Sequence, residues 1–216
     1  MKKTLLLLSF AALCSQSASA LFKIGPEVGL NFNKMKYDLS TGLAGLSYKN
    51  QSVMGAKIGL LADIGLGPIA VQPGIFYSMK GGKQSVNFLG SVENRTTINY
   101  LEVPVWVLYK HKLGPGKIFG GVAPSIGYGL SGKTKSKASV LGQVEEDTQN
   151  LTFGSDSTDV KRIDYAINIG VGYQLFMGLF ARVSYSIGLA NLSNDASAGD
   201  IKNRSFGVSV GWLFGK

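Results

Sequence analysis

Along most of the chain, apolar side chains fall at every second position. In the last segment Phe206, Val208, Val210, Trp212 and Phe214 share one face, and Ser205, Gly207, Ser209 and Gly211 the other. The first segment repeats the plan, with Phe22, Ile24, Val28, Leu30 and Phe32 set against Lys23, Gly25, Glu27, Gly29 and Asn31. A helix would scatter these residues around its circumference, so a period of two over this length predicts strands. The same reading places six more strands at about 53–65, 69–80, 97–110, 117–131, 163–175 and 179–191. In all eight the apolar face reads as the outer one, and the alternate face as glycine-rich and polar.

The connections set the architecture. Three are short, at Gly67-Pro68, His111–Gly116 and Phe176–Gly178. Four are long, about 34–52, 81–96, 132–162 and 192–203, and the two kinds alternate strictly. Outer-membrane barrels have this asymmetry, with tight periplasmic turns and longer extracellular loops. The expected fold is therefore all-β: an eight-stranded antiparallel transmembrane β-barrel, an up-and-down meander with both ends on the periplasmic side. A tilted strand gains roughly 2.5 Å per residue along the membrane normal, so 9–11 residues cross the hydrocarbon. Outward Phe22, Tyr109, Tyr165, Tyr173, Phe206, Trp212 and Phe214 are expected in the two aromatic girdles. Pro26, Pro73, Pro104 and Pro124 cannot donate to a ladder and are expected at bulges or strand ends. A water-soluble β-sandwich would show no systematic loop asymmetry.

The start of the chain agrees with export. Lys2 and Lys3 precede an apolar run from Leu5 to Leu13, and Ala18-Ser19-Ala20 offers a small-residue cleavage site. Residues 1–20 are expected to be a cleaved signal peptide, and 21–216 the barrel domain. The sole cysteine, Cys14, lies in the leader, so the mature chain is expected to hold no thiol chemistry. Composition is unusual for a soluble domain: 29 glycines and only 16% charged residues. The formal net charge of +9 falls to +7 without Lys2 and Lys3. In an exported chain with no basic helix, that balance points to anionic lipid or lipopolysaccharide rather than nucleic acid.

With the strands in place, four segments resemble the PorT-like outer-membrane β-barrel family of Bacteroidota. They are INYLEVPVWVLYK (Ile98–Lys110), GGVAPSIGYGLSGK (Gly120–Lys133), IDYAINIGVGYQL (Ile163–Leu175) and YSIGLANL (Tyr185–Leu192). The Leu-Glu-Val-Pro core carries most of the likeness; Trp106 departs from the aliphatic run usual after the proline. The resemblance implies an eight-stranded barrel in the outer membrane of a Gram-negative cell. It implies little about activity, although one member is tied to type IX protein secretion.

Candidate chemistry lies first in the lumen. Glu27, Lys57, Asp63, Lys80, Glu102, Asp164 and Arg182 all fall on inward positions. Eight strands enclose an interior just wide enough for side chains to fill. Charges there must pair, since each isolated ion costs several kcal/mol of desolvation. A salt-bridge network plugging the lumen is the expected outcome, with an ion or proton path as the alternative. Lys133, Lys135 and Lys137 in the long loop 132–162 are candidates for contact with lipopolysaccharide phosphates. An enzyme on this scaffold would need a nucleophile, a histidine and a carboxylate in reach, but the single histidine, His111, falls in a periplasmic turn. No catalytic, metal or cofactor site is expected.

GYGLSGKT, Gly127–Thr134, matches the Walker A pattern, yet it continues an alternating strand into an outer loop. A phosphate-binding loop instead opens a helix. No nucleotide is expected to bind. The expected function is a structural, adhesive or accessory role in the envelope, carried by the extracellular loops. Its expected partners are outer-membrane lipids and lipopolysaccharide, with other envelope or secretion proteins as further candidates. A narrow solute channel and a lipid-modifying enzyme are the alternatives.

Overall fold

The computed structural model describes residues 21–38, 48–87, 91–140, 143–156, 159–194 and 200–215. The expected leader, residues 1–20, lies outside them. Ten strands occur among these residues: β1 (Leu21–Asp38), β2 (Tyr48–Gln51), β3 (Val53–Leu66), β4 (Ile69–Asn87), β5 (Ser91–Leu113), β6 (Gly116–Val140), β7 (Gln143–Asn150), β8 (Ile163–Leu175), β9 (Leu179–Gly188) and β10 (Asp200–Trp212). Eight of them pair antiparallel in chain order, β1-β3-β4-β5-β6-β8-β9-β10, and β10 returns to β1 to close the ring. The eight-stranded meander expected from the alternation is the fold.

The short turns carry glycines in the left-handed region, Gly67, Gly114 and Gly178, with φ of 68°, 56° and 93°. A side chain at such a φ is strained, which is why glycine closes these periplasmic hairpins.

Alternation assigns the two faces as expected. Ile24, Val28 and Leu30 on β1, Ile167, Ile169 and Val171 on β8, and Val208 and Val210 on β10 all point outward and are exposed. An apolar belt running around a whole molecule is incompatible with water and matches a bilayer. Above it run Phe32, Tyr77, Tyr128, Tyr165, Tyr185 and Phe206; below it Phe22, Tyr109, Phe176, Trp212 and Phe214 are exposed, and Tyr173 is half-buried, donating its hydroxyl to the Leu113 carbonyl at 2.6 Å. All seven expected girdle residues face outward. Phe32, Phe206 and Tyr185 stand opposite one another on three adjacent strands, β1, β10 and β9.

Three features differ from the sequence reading. The prolines leave the register intact: Pro26 pairs with Leu60 within an unbroken ladder, and gaps opposite Pro73, Pro104 and Pro124 are followed by the same register. A missing donor removes a bond without requiring an extra residue. The one register shift among the described residues, at Asn99/Tyr100 against Gly129–Ser131, lies elsewhere. Second, two of the expected long loops are largely strand. β4, β5 and β6 run far beyond the length that crosses a bilayer, and with β2 and β7 at the edges their outer parts form a five-stranded sheet ordered β2-β4-β5-β6-β7. At the other end β5 extends to Leu113, so His111 is a strand residue, paired with Ile118.

Third, the inward face is not uniformly polar. Leu61, Phe76, Trp106, Leu108, Phe119, Phe180 and Leu213 form a buried apolar cluster toward the periplasmic end. Its rings lie on glycines. Phe119 stands opposite Gly172, Phe180 opposite Gly211 and Phe76 opposite Gly59, while a Cβ at Gly170 would come 2.8 Å from the Trp106 ring. The inner glycines thus make room for one large ring per neighbourhood, and each ring covers a glycine's bare backbone. Gly172→Val would drive its side chain into the Phe119 ring. We expect a loss of about 1–3 kcal/mol, read as a lower urea midpoint for the heat-sensitive gel mobility of the folded barrel; an unchanged midpoint would refute this packing.

Candidate functional site: a charge-balanced lumen

On the inner wall, seven of the eight ring strands, all but β6, place one or more long polar side chains at inward positions. Those residues converge into layers. Lowest, the Lys110 ammonium pairs with Asp63 and donates to Gln174 Oε1 at 3.1 Å. Gln72 donates from Nε2 to Asp63 Oδ2 at 2.6 Å and accepts from Arg182 Nη2 on its Oε1, also at 2.6 Å. Arg182 Nη1 lies 3.4 Å from Glu27 Oε2. The other oxygen of Glu27 takes Lys57 Nζ at 2.9 Å and the Ser209 hydroxyl at 2.7 Å. These contacts join seven strands, β8, β5, β3, β4, β9, β1 and β10, in one chain across the lumen.

Arg182 is 1% exposed and sits among aromatic rings, with its guanidinium carbon 4.6 Å from the Trp106 centroid, 5.4 Å from Phe180 and 5.6 Å from Phe119. A weakly hydrated, planar cation suits such a cage better than an ammonium does. Lys57 is held similarly, 4.5 Å from the Phe76 centroid.

A second cluster lies higher. Lys80 Nζ is 3.2 Å from Glu102 Oε1 and 3.6 Å from Asp164 Oδ2, and Asn203 donates to Asp164 at 3.0 Å. Above it, Met35, Ile98 and Tyr100 pack against Leu151, Phe153, Val160 and Ile201. Leu151 and Phe153 follow β7 and fold back over the barrel mouth, where the Leu151 amide donates to the Gly132 carbonyl at 2.9 Å. Apolar groups therefore cap the lumen above the ionic layers, while lower down the aromatic cluster packs among the charges, around Arg182. Between the layers, a cavity of about 30 Å³ borders Lys57, Lys80, Glu102 and Asn168, room for about one water. The periplasmic mouth opens into a cavity of about 310 Å³ bordered by Lys23, Asp63, Lys110 and Lys117.

All seven inward residues named from the alternation line the lumen, and the structure brings them into two groups. Glu102 joins Lys80 and Asp164 in the upper group. Lys110 was missed. With it, four cations (Lys57, Lys80, Lys110, Arg182) face four carboxylates (Glu27, Asp63, Glu102, Asp164). The seven alone leave an unmatched carboxylate, and that imbalance was the available signal.

The three loop lysines do not act as a unit. Lys133, Lys135 and Lys137 lie on the outer extension of β6, where Lys137 Nζ pairs with Glu146 Oε1 of β7 at 2.7 Å. The hydrogen bond and charge of Lys137 hold the Glu146 carboxyl below its usual value of 4.5, and Glu146 in turn raises the Lys137 ammonium. A lowered carboxylate value means that the pair persists at neutral pH and is lost as pH falls below the ordinary carboxylate range. His111 is exposed at the periplasmic end. Gly127 and Gly129 of the Walker-like stretch are wall residues, and Gly132-Lys133-Thr134 continues the strand, where a loop was expected.

The outer membrane protein beta-barrel domain model matches residues 14–194. The chain belongs to this family. Its place is the outer membrane, and the eight-stranded ring with its lipid belt is that family's barrel. Among solved structures, Neisserial surface protein A is similar at 11% identity and a TM-score of 0.43, covering 88% of this chain and 97% of that one. The Yersinia pestis attachment invasion locus protein Ail, solved with the heparin analogue sucrose octasulfate, is 14% identical with a TM-score of 0.39, covering 90% and 99%. OprG of Pseudomonas aeruginosa is 10% identical with a TM-score of 0.43, covering 91% and 97%. A search of curated proteins found no match.

Proposed function

We propose that this outer-membrane barrel is a closed, non-enzymatic envelope component that works through its extracellular sheet rather than through its lumen. The observation that carries the reading is the lumen itself. Its eight charges are matched, knit across seven strands in the lower group, packed round with aromatic rings there and capped by an apolar cluster above. A conducting path needs polar groups that can exchange partners with a passing ion, and these are occupied by one another. The five-stranded outer sheet, in contrast, has β2 and β7 as its outermost strands among the described residues and presents the charged faces of β5, β6 and β7. That surface suits a structural, adhesive or accessory role toward outer-membrane lipids or other envelope proteins. The PorT-like sequence segments add protein secretion as one such accessory setting.

The channel is the second reading, favoured by the cavity at the periplasmic mouth. Planar-bilayer recording on the purified barrel separates the two. The closed reading expects no discrete conductance steps, and regular steps in salt would overturn it. Catalysis on lipid is tested by expressing the protein and weighing lipid A, for which an unchanged mass is expected.

A further inference from the structure

The register shift in β6 has an effect on charge. Below it, Ile126, Tyr128 and Leu130 point outward. Continued without a break, that alternation would turn Gly132, Thr134 and Ser136 outward and the lysines inward. The extra residue opposite Asn99/Tyr100 reverses the phase, so that Gly132 is buried while Lys133, Lys135 and Lys137 are exposed. The bulge thus delivers the lysines to the outer surface directly above Leu130, at the edge of the lipid belt.

The neighbouring strand supplies the complement. Arg95 of β5 stands opposite Lys135, Thr97 opposite Lys133, and Asn99 opposite Ser131. Arg95, Thr97, Asn99, Lys133 and Lys135, together with Met79 of β4, border a groove of about 420 Å³. The next row outward, Glu93 opposite Lys137, is compensated: Glu93 pairs with Lys83 at 2.7 Å and Lys137 with Glu146. The Arg95–Lys135 row is not. Among the described residues no carboxylate lies within ion-pair distance of Arg95, Lys133 or Lys135, and Glu146, which acts on Lys135 through space, is already bonded to Lys137. Like charges set directly across a strand pair repel. An anion between them turns that repulsion into charge-assisted hydrogen bonds, and a guanidinium beside ammonium groups is the donor set that phosphate takes.

We propose that this groove binds the phosphate of an outer-leaflet glycolipid, lipid A in chemical class. Arg95 and Lys135 clamp the phosphate, Lys133 supports it from the membrane side, Thr97 and Asn99 bond the sugar, and Met79 meets its apolar edge. The height decides for a membrane lipid over a soluble anion. Lys133 lies three residues beyond Leu130, roughly 8 Å along the normal, where a headgroup sits above its acyl chains. The inference rests on the outer-membrane placement and not on the closure of the lumen.

The test uses the full chain, folded in detergent and titrated with phosphorylated lipid A or its dephosphorylated form, with bound lipid counted by native mass spectrometry. The wild type is expected to prefer the phosphorylated lipid by roughly tenfold or more. The double variant Arg95→Gln/Lys135→Gln is expected to lose that preference, and Lys137→Gln, in the compensated row, to keep it. Heat-shifted gel mobility confirms that each variant is folded; these side chains project from the wall into solvent, outside the buried plug. Equal binding of the two lipids by the wild type would overturn the proposal. So would a preference that survives the double substitution, an equal loss in Lys137→Gln, or displacement of the lipid by inorganic phosphate at comparable concentration.

Discussion

Arg182→Met is expected to destabilise the barrel by about 3–5 kcal/mol, the usual result of removing one member of a buried pair. Methionine keeps the apolar stem against Trp106, Phe119 and Phe180, so the change isolates the charge. Two acceptors lose their partner in the dry part of the lumen: Glu27 Oε2 and Gln72 Oε1. Gln72 also positions Asp63, so the deficit spreads to the Lys110 pair. Urea unfolding in detergent, followed by the fluorescence of Trp106 or by gel mobility, measures the loss. A change below about 1 kcal/mol, the size of an ordinary surface pair, would mean that water reaches the site and that the plug is not dry. Arg182→Met combined with Glu27→Gln should show coupling of about 0.5–3 kcal/mol, as residues in one network do. Full recovery is not expected, because Lys57 then loses its carboxylate.

Lys80→Met should cost at least as much, because this one ammonium neutralises both Glu102 and Asp164. Its removal leaves two buried carboxylates without the cation they share, although Asn203 still donates to Asp164. Glu102→Gln is expected to be milder, since Lys80 keeps Asp164 at 3.6 Å and the amide can still accept its hydrogen bond. The ordering matters more than either value. If Glu102→Gln proved as damaging as Lys80→Met, Asp164 would contribute nothing and the three-membered arrangement would be wrong.

Alternation made the barrel legible because lipid and lumen impose opposite demands on successive residues. Wherever both held, as in Ile163–Leu175, the period of two was plain and the strand bounds agreed to the residue. Beyond the membrane the signal vanished for a physical reason. In Lys133–Ala138 both faces meet water, so lysines alternate with Thr134, Ser136 and Ala138 and hydropathy shows no period. A strand there reads as a loop.

The lumen's carboxylates were legible by parity alone. Lys110 was not, because it lies between the alternating segment and a turn rich in lysine and glycine. The inner aromatic cluster was illegible for another reason. Each strand places at most one or two of its rings inward, so a face holding Phe119 with Ala123, Ser125, Gly127 and Gly129 averages out as small and polar. The bulge had no sequence mark, since glycine, serine and leucine fit either phase; only the partner strand fixes which residue is extra.

The wiring of the plug also bears on how the barrel is made. Glu27 comes from the first strand, Arg182 and Ser209 from the last two, and Gln72 from the third strand of the ring. The Ser209–Glu27 bond spans 182 positions of the chain, and the Arg182–Gln72 bond spans 110. A sheet still open between β1 and β10 cannot hold these partners together, and it separates Arg182 and Ser209 from Glu27 even where neighbouring-strand pairs such as Lys57–Glu27 and Lys80–Glu102 have formed. The charges that hold the finished barrel shut therefore penalise an open seam between β1 and β10, so the last strand to arrive finds its place in a single cooperative step.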